Sequence, residues 1–208
     1  MAKKDLWTMI GAERRALADD LDGLPAAKWS TPSLCGGWSV RDVVAHMTAT
    51  AEMTPAKFLP KLAGAGFSLS RLSQKDIDQR TKGEPAATLE RFKSRVSSRN
   101  HPPGPTESWL GEAVVHAEDV RRPLGIKHEY SSEALTTVAD AYRKSNLVLG
   151  GKKRVAGLKL RATDTDWSAG EGAEVAGPMV SLVLAIAGRR AALDDLSGEG
   201  VSTLKTRM

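Results

Sequence analysis

GEAVVHAEDVRRPLG, residues 111–125, places a glutamate and a histidine four residues apart within an apolar pattern. At about 100° per residue, Trp109, Ala113, Val120 and Leu124 define the inward side of a helix, and His116 falls beside Trp109. Glu112 lies about 40° from His116 on the same wheel, and Asp119 flanks both. Gly111, Glu118 and Arg122 face outward on that projection. Pro123 and Gly125 close the element, since proline cannot continue a helix comfortably and glycine suits a left-handed cap. A carboxylate on an inward face is costly unless it is protonated, paired or bound to a cation. The pair is therefore either an ordinary polar contact at a helix edge or part of a site.

A second stretch bears on that choice. Ser39 is a good N-cap, with Asp42 at the capping-box position, and VRDVVAHMTATAEM continues as a helix. Its apolar face contains Val40, Val43, Val44 and Met47, with His46 at the edge. By itself His46 reads as a satisfied core-edge histidine. Were the two helices antiparallel neighbours, His46 would oppose Glu112 and His116. A His2Glu set with open positions is the arrangement of catalytic rather than structural zinc. His101, in the proline-rich loop NHPPGPTE, and His128, beyond Gly125, read as surface residues.

Outward from these helices the chain punctuates itself clearly. An amphipathic helix over 3–22 carries Leu6, Ile10, Leu17 and Leu21 on one stripe, with Glu13, Arg14, Arg15, Asp19 and Asp20 largely opposite. Pro55 and Pro60 break or kink the chain beyond the second helix. RLSQKDIDQR and PAATLERFKSRVSS read as helices separated by KGEP, and SSEALTTVADAYRKSNLVL as a further one starting from a serine cap. After GGKKR at 150–154 the character changes. Leu158, Leu160 and Ala162 alternate like a strand, GPMVSLVLAIAGRRAALDDL reads as a buried helix, and VSTLKTRM as a final short strand. The expected division is an all-helical part over 1–149 and a small α+β part over 150–208.

Composition narrows the function classes. The 208 residues carry 30 Lys and Arg against 25 Asp and Glu, a net charge of +5. The basic residues are scattered among acidic ones on helix faces and few aromatics accompany them, so nucleic-acid binding is not expected. No run approaches the roughly 18 apolar residues of a membrane span. The single cysteine, Cys35, fits a reducing cytoplasm, and the N-terminus reads as lacking an export signal. Cys35 reads as a turn-packing residue, because no histidine or basic residue adjoins it in sequence to lower its pKa. Trp38 reads as the anchor of the helix entry, and Arg121 and Arg122 as outward partners of the helix dipole.

LCGGWSVRDVVAHM, GEAVVHAEDVRRPLG and the segment from LKLRATDTDW to DDLSGEGV together resemble the mycothiol-dependent maleylpyruvate isomerase family, within the DinB-like four-helix-bundle superfamily. The resemblance spans nearly the whole chain. It implies a mainly α protein: a DinB-like bundle holding a divalent metal, usually zinc, followed by a small α+β C-terminal domain. Carried onto this sequence, the metal ligands are His46, Glu112 and His116. Asp119 is then either an outer residue orienting a ligand or a salt-bridge partner of Arg122. The resemblance implies a small-molecule thiol, mycothiol, and an electrophilic substrate as partners, in an isomerase or S-transferase reaction. A metal-binding stress or sensing protein without turnover is the alternative.

Overall fold

The computed structural model describes residues 5–147 and 149–208. Residues 3 and 4 of the first expected helix lie outside them. The protein is mainly α-helical and forms two compact units, Met1–His128 and Glu129–Met208.

In the first unit α1 (Leu6–Asp20) packs against α6 (Thr106–Leu124), and α6 against α2 (Val40–Glu52). α2 also packs against α4 (Leu69–Arg80) and α5 (Pro85–Lys93), and α5 returns to α1. α3 (Pro55–Gly64) starts with Pro55 in its first turn and runs through Pro60 without breaking. Leu17, Leu21, Val40, Val43, Val44, Met47, Phe92, Ala117 and Val120 form the core of this bundle, all fully buried. Its apolar contacts are the chief source of stability, because helices of this length are marginal on their own. Among the described residues no helix is long and apolar enough to cross a membrane.

Three charged residues on the inside correct the sequence reading. Arg14 was expected opposite the apolar stripe, yet it is fully buried in α1; its spacing from Ile10, Leu17 and Leu21 is itself helical. Arg121 was expected to face outward and is also fully buried, its Nε donating to Asp20 at 2.7 Å. Glu118, likewise expected outside, is buried and accepts from Arg122 Nε at 2.9 Å.

In the second unit α7 (Ser132–Tyr142) packs against α9 (Met179–Ile186). A short α8 (Gly151–Arg154) precedes β1 (Leu158–Ala162), whose Leu158, Leu160 and Ala162 are buried in the expected alternation. β1 pairs antiparallel with β2 (Ser168–Ala169) and parallel with β3 (Ala173–Gly177), in the order β2-β1-β3. Gly172 crosses so close to β1 that a Cβ there would lie 2.2 Å from the Gly157 carbonyl oxygen, and its φ of +114° suits only glycine. VSTLKTRM, expected as a strand, is helical as α10 (Val201–Thr206). The free edge of β3 is already taken: Ala176 and Ser197 exchange backbone hydrogen bonds at 2.8 Å, leaving no pairing for a further strand.

Candidate metal centre

Ser39 and Asp42 set the entry of α2. Ser39 N–H donates to Asp42 Oδ2 at 2.9 Å, and Asp42 N–H to Ser39 Oγ at 3.2 Å, a reciprocal cap. The helix thus started places Val43, Val44 and Met47 in the core and leaves His46 at its margin, half-buried.

Across from it on α6 stands His116. The two imidazoles lie with centroids 5.1 Å apart in an edge-to-face arrangement, so the structure brings His46 and His116 together. Trp38 covers the pair, its ring 4.9 Å from His46 and 6.2 Å from His116. Burial above all, with the neighbouring His116 and Arg80 acting in the same direction, pushes His46 down to about 3 against the pull of Asp119. His46 is therefore neutral near pH 7, as a ligand must be. Its Nδ1 is buried without a hydrogen-bond partner.

His116 Nδ1 lies 2.8 Å from Asp119 Oδ2, and Asp119 is fully buried. Of the two roles expected for Asp119, the contact with the histidine is present; Arg122 Nε donates to Glu118. A carboxylate on Nδ1 fixes the ring's orientation and leaves Nε2 with its lone pair, as outer partners of metal-bound histidines do.

Glu112, one turn earlier, meets a cation of the protein's own. Its Oε2 accepts from Arg14 Nη2 at 3.4 Å, and Arg14 Nη1 donates to the Ser98 carbonyl at 3.2 Å. The other carboxylate oxygen, Oε1, is buried and unpartnered. Arg14 thus neutralises Glu112, a solution the sequence reading did not contain.

The loop before α2 completes the surroundings. Pro123 has no N–H for the carbonyl of Asp119, four residues back, and Leu34 N–H donates to that oxygen instead at 3.1 Å. Ser33 Oγ donates to the Trp38 carbonyl at 2.8 Å, closing the loop. Cys35 is carried next to α6 as a result. One donor atom each from Cys35, His116 and Asp119 lie within 4.8 Å of one another, the group of this kind found among the described residues. Adjacency in sequence had hidden this: the histidine near Cys35 comes from another helix.

The other two histidines are not simply surface residues. His128 Nε2 lies 2.9 Å from Glu13 Oε2. His101 is half-buried between Trp7 and Trp109, with ring centroids at 5.2 and 5.7 Å.

Paired histidines with two buried carboxylates on the inner faces of a helical bundle define a bundle protein with a candidate metal centre. The chain belongs to the mycothiol maleylpyruvate isomerase family, since residues 10–121 match the model of the mycothiol maleylpyruvate isomerase N-terminal domain. The crystal structure of a mycothiol-dependent maleylpyruvate isomerase aligns with a TM-score of 0.65 at 17% identity, covering 96% of this chain and 93% of that one. A mutant of that enzyme with one histidine replaced by alanine aligns with a TM-score of 0.64 at 16% identity, over the same shares of both chains. At such identity the likeness speaks to the fold. No curated protein matches the sequence significantly.

Proposed function

We propose that the protein is a divalent-metal enzyme that uses a small thiol, mycothiol by family, either to isomerise a small electrophile or to transfer the thiol sulfur onto it. The observation that carries this reading is the His46–His116 pair, with Asp119 fixing His116 from behind. A cation is a good fit to the residues present. His46 Nδ1 and Glu112 Oε1 are buried polar atoms lacking partners, and each such atom costs on the order of 1–3 kcal/mol if nothing meets it. His46, His116 and Glu112 are the proposed ligands, a mixed N/O set suited to zinc.

The metal, when bound, supplies the positive charge that keeps a thiol ionised near neutral pH and polarises an electrophile. The protein's residues do the rest. His46 and His116 would hold the ion from two helices, with Asp119 holding the His116 proton on Nδ1. Trp38 covers the imidazoles and keeps bulk water from their faces. Arg14 retains one Glu112 oxygen and so restricts how that carboxylate turns.

Metal content tests the reading. Protein purified without added metal is expected to carry about one divalent ion per chain, and His116→Ala to lose it. Loss of an electrophile that requires both the thiol and the metal then identifies an enzyme. A chain that binds no zinc, nickel or iron under any loading condition sinks the proposal and leaves only a scaffold of this family.

A further inference from the structure

The candidate centre contains a donor that the His46, Glu112, His116 set leaves out. Cys35 reaches His116 and Asp119 because the loop bearing it is tied to α6 by the Leu34–Asp119 backbone bond, an attachment that Pro123 makes available. The Cys35 sulfur thereby lies within 4.8 Å of a His116 ring nitrogen, while Asp119 keeps its place as that ring's hydrogen-bond partner. In a tetrahedral zinc site, bonds of about 2.0–2.3 Å put neighbouring donors roughly 3.3–3.7 Å apart. Bringing the Cys35 sulfur and a His116 nitrogen to that spacing takes a movement on the order of 1 Å, within the reach of side-chain rotation. Glu112, one turn earlier on α6, has one oxygen committed to the buried Arg14.

We infer that Cys35 is a ligand of the metal beside His116. This rests on the metal reading above and adds a protein thiolate to it. Binding forms a sulfur–metal bond and releases the Cys35 proton to solvent, with nothing oxidised or reduced. The consequence for function is direct. Cys35 occupies a coordination position of the kind a small thiol needs, so the incoming thiol must displace the protein's own sulfur. Cys35 therefore acts as a built-in competitor that shields the ion when no small thiol is present.

Cobalt(II) provides the probe. The full chain, stripped with a chelator, is titrated with cobalt in a buffer free of any other thiol. The expected result is an intense near-ultraviolet sulfur-to-cobalt charge-transfer band that saturates at one equivalent. Cys35→Ser is expected to abolish the band and weaken cobalt binding at least ten-fold. Bound metal is also expected to slow alkylation of Cys35 by iodoacetamide, a readout that needs no variant to fold. Cobalt bound at one equivalent with no such band, and alkylation unchanged, overturns the ligand role of Cys35 and leaves the metal centre standing. Failure of the chain to bind cobalt at all overturns both.

Discussion

The two halves of α6 carry the same kind of residue in opposite circumstances. Glu112 in the first half and Asp119 in the second are both buried carboxylates facing the interior of the bundle. Glu112 meets a permanent cation, Arg14, at a long 3.4 Å, and both partners keep a buried atom without a hydrogen bond: Oε1 of the glutamate and Nε of the arginine. Asp119 meets an imidazole at 2.8 Å, and its main-chain carbonyl also anchors a loop. The first half is an electrostatic compromise within the fold. The second is a positioned histidine, with its free nitrogen and a cysteine nearby. The difference lies in the partner, because a guanidinium stays charged at any relevant pH while an imidazole can be held neutral to bind a metal.

Removing one member of the first pair is the harshest way to break this comparison. Glu112→Ala leaves Arg14 buried without its carboxylate, and metal-free protein is expected to lose about 3–5 kcal/mol in urea denaturation. Arg14→Met combined with Glu112→Met is expected to recover most of that loss, since an imperfect buried pair is readily matched by apolar packing. A double variant as unstable as the single one would mean that Glu112 matters for something other than Arg14.

The second half is expected to respond in binding rather than in folding. Asp119→Asn removes the carboxylate that holds His116 and should weaken metal affinity about 10–100-fold, read by competition with a chromogenic chelator. Its effect on metal-free stability should be smaller than that of Glu112→Ala, because the amide still accepts a hydrogen bond from Nδ1. Equal metal affinity in wild type and Asp119→Asn would show that His116 is fixed by packing under Trp38 instead.

Much of this was legible beforehand, and the misses have physical reasons. The cap at Ser39 and Asp42, the closure of α6 at Gly125 and the alternation of Leu158, Leu160 and Ala162 are local signals, and each was read correctly. The meeting of His46 with His116 follows once the two helices are neighbours. Arg14 was misplaced because its charge was weighed above its position, although 10, 14, 17 and 21 form one helical stripe. Arg121 repeats the error: Leu110, Val114 and Ala117 lead to it at the same spacing, and all are buried. Cys35 was judged by its sequence neighbours, whereas its environment comes from α6. The one local clue was Pro123, which deprives the Asp119 carbonyl of its helical donor and calls for a donor from elsewhere. The last segment is helical over Val201–Thr206 instead of a strand, and the edge of β3 is already spent on Ser197, a fact of topology that no local pattern contains.

A third carboxylate sharpens the contrast by being paired several times over. Glu52, at the end of α2, accepts from Arg80 Nη2 at 2.7 Å and from Arg95 Nε at 3.4 Å, with Arg91 also at 3.4 Å. Partial burial alone would raise its pKa, but Arg80, Arg91 and Arg95 together outweigh that and lower it below the usual glutamate value. A lowered folded-state pKa means that the unfolded chain binds more protons in acid. The stabilisation from Glu52 is therefore fully present above the unfolded value of about 4.3 and is lost as pH falls through the lower folded value. Glu52→Gln is expected to cost on the order of 1 kcal/mol at pH 7, less than either change on α6, since its partners remain partly exposed and Arg80 keeps Asp76 at 3.0 Å. The deficit should shrink as the pH drops below about 4, where the wild-type carboxylate is being protonated too. Urea midpoints of wild type and variant that stay parallel from pH 7 down to pH 3 would show that the arginines hold Glu52 by geometry alone, without the charge.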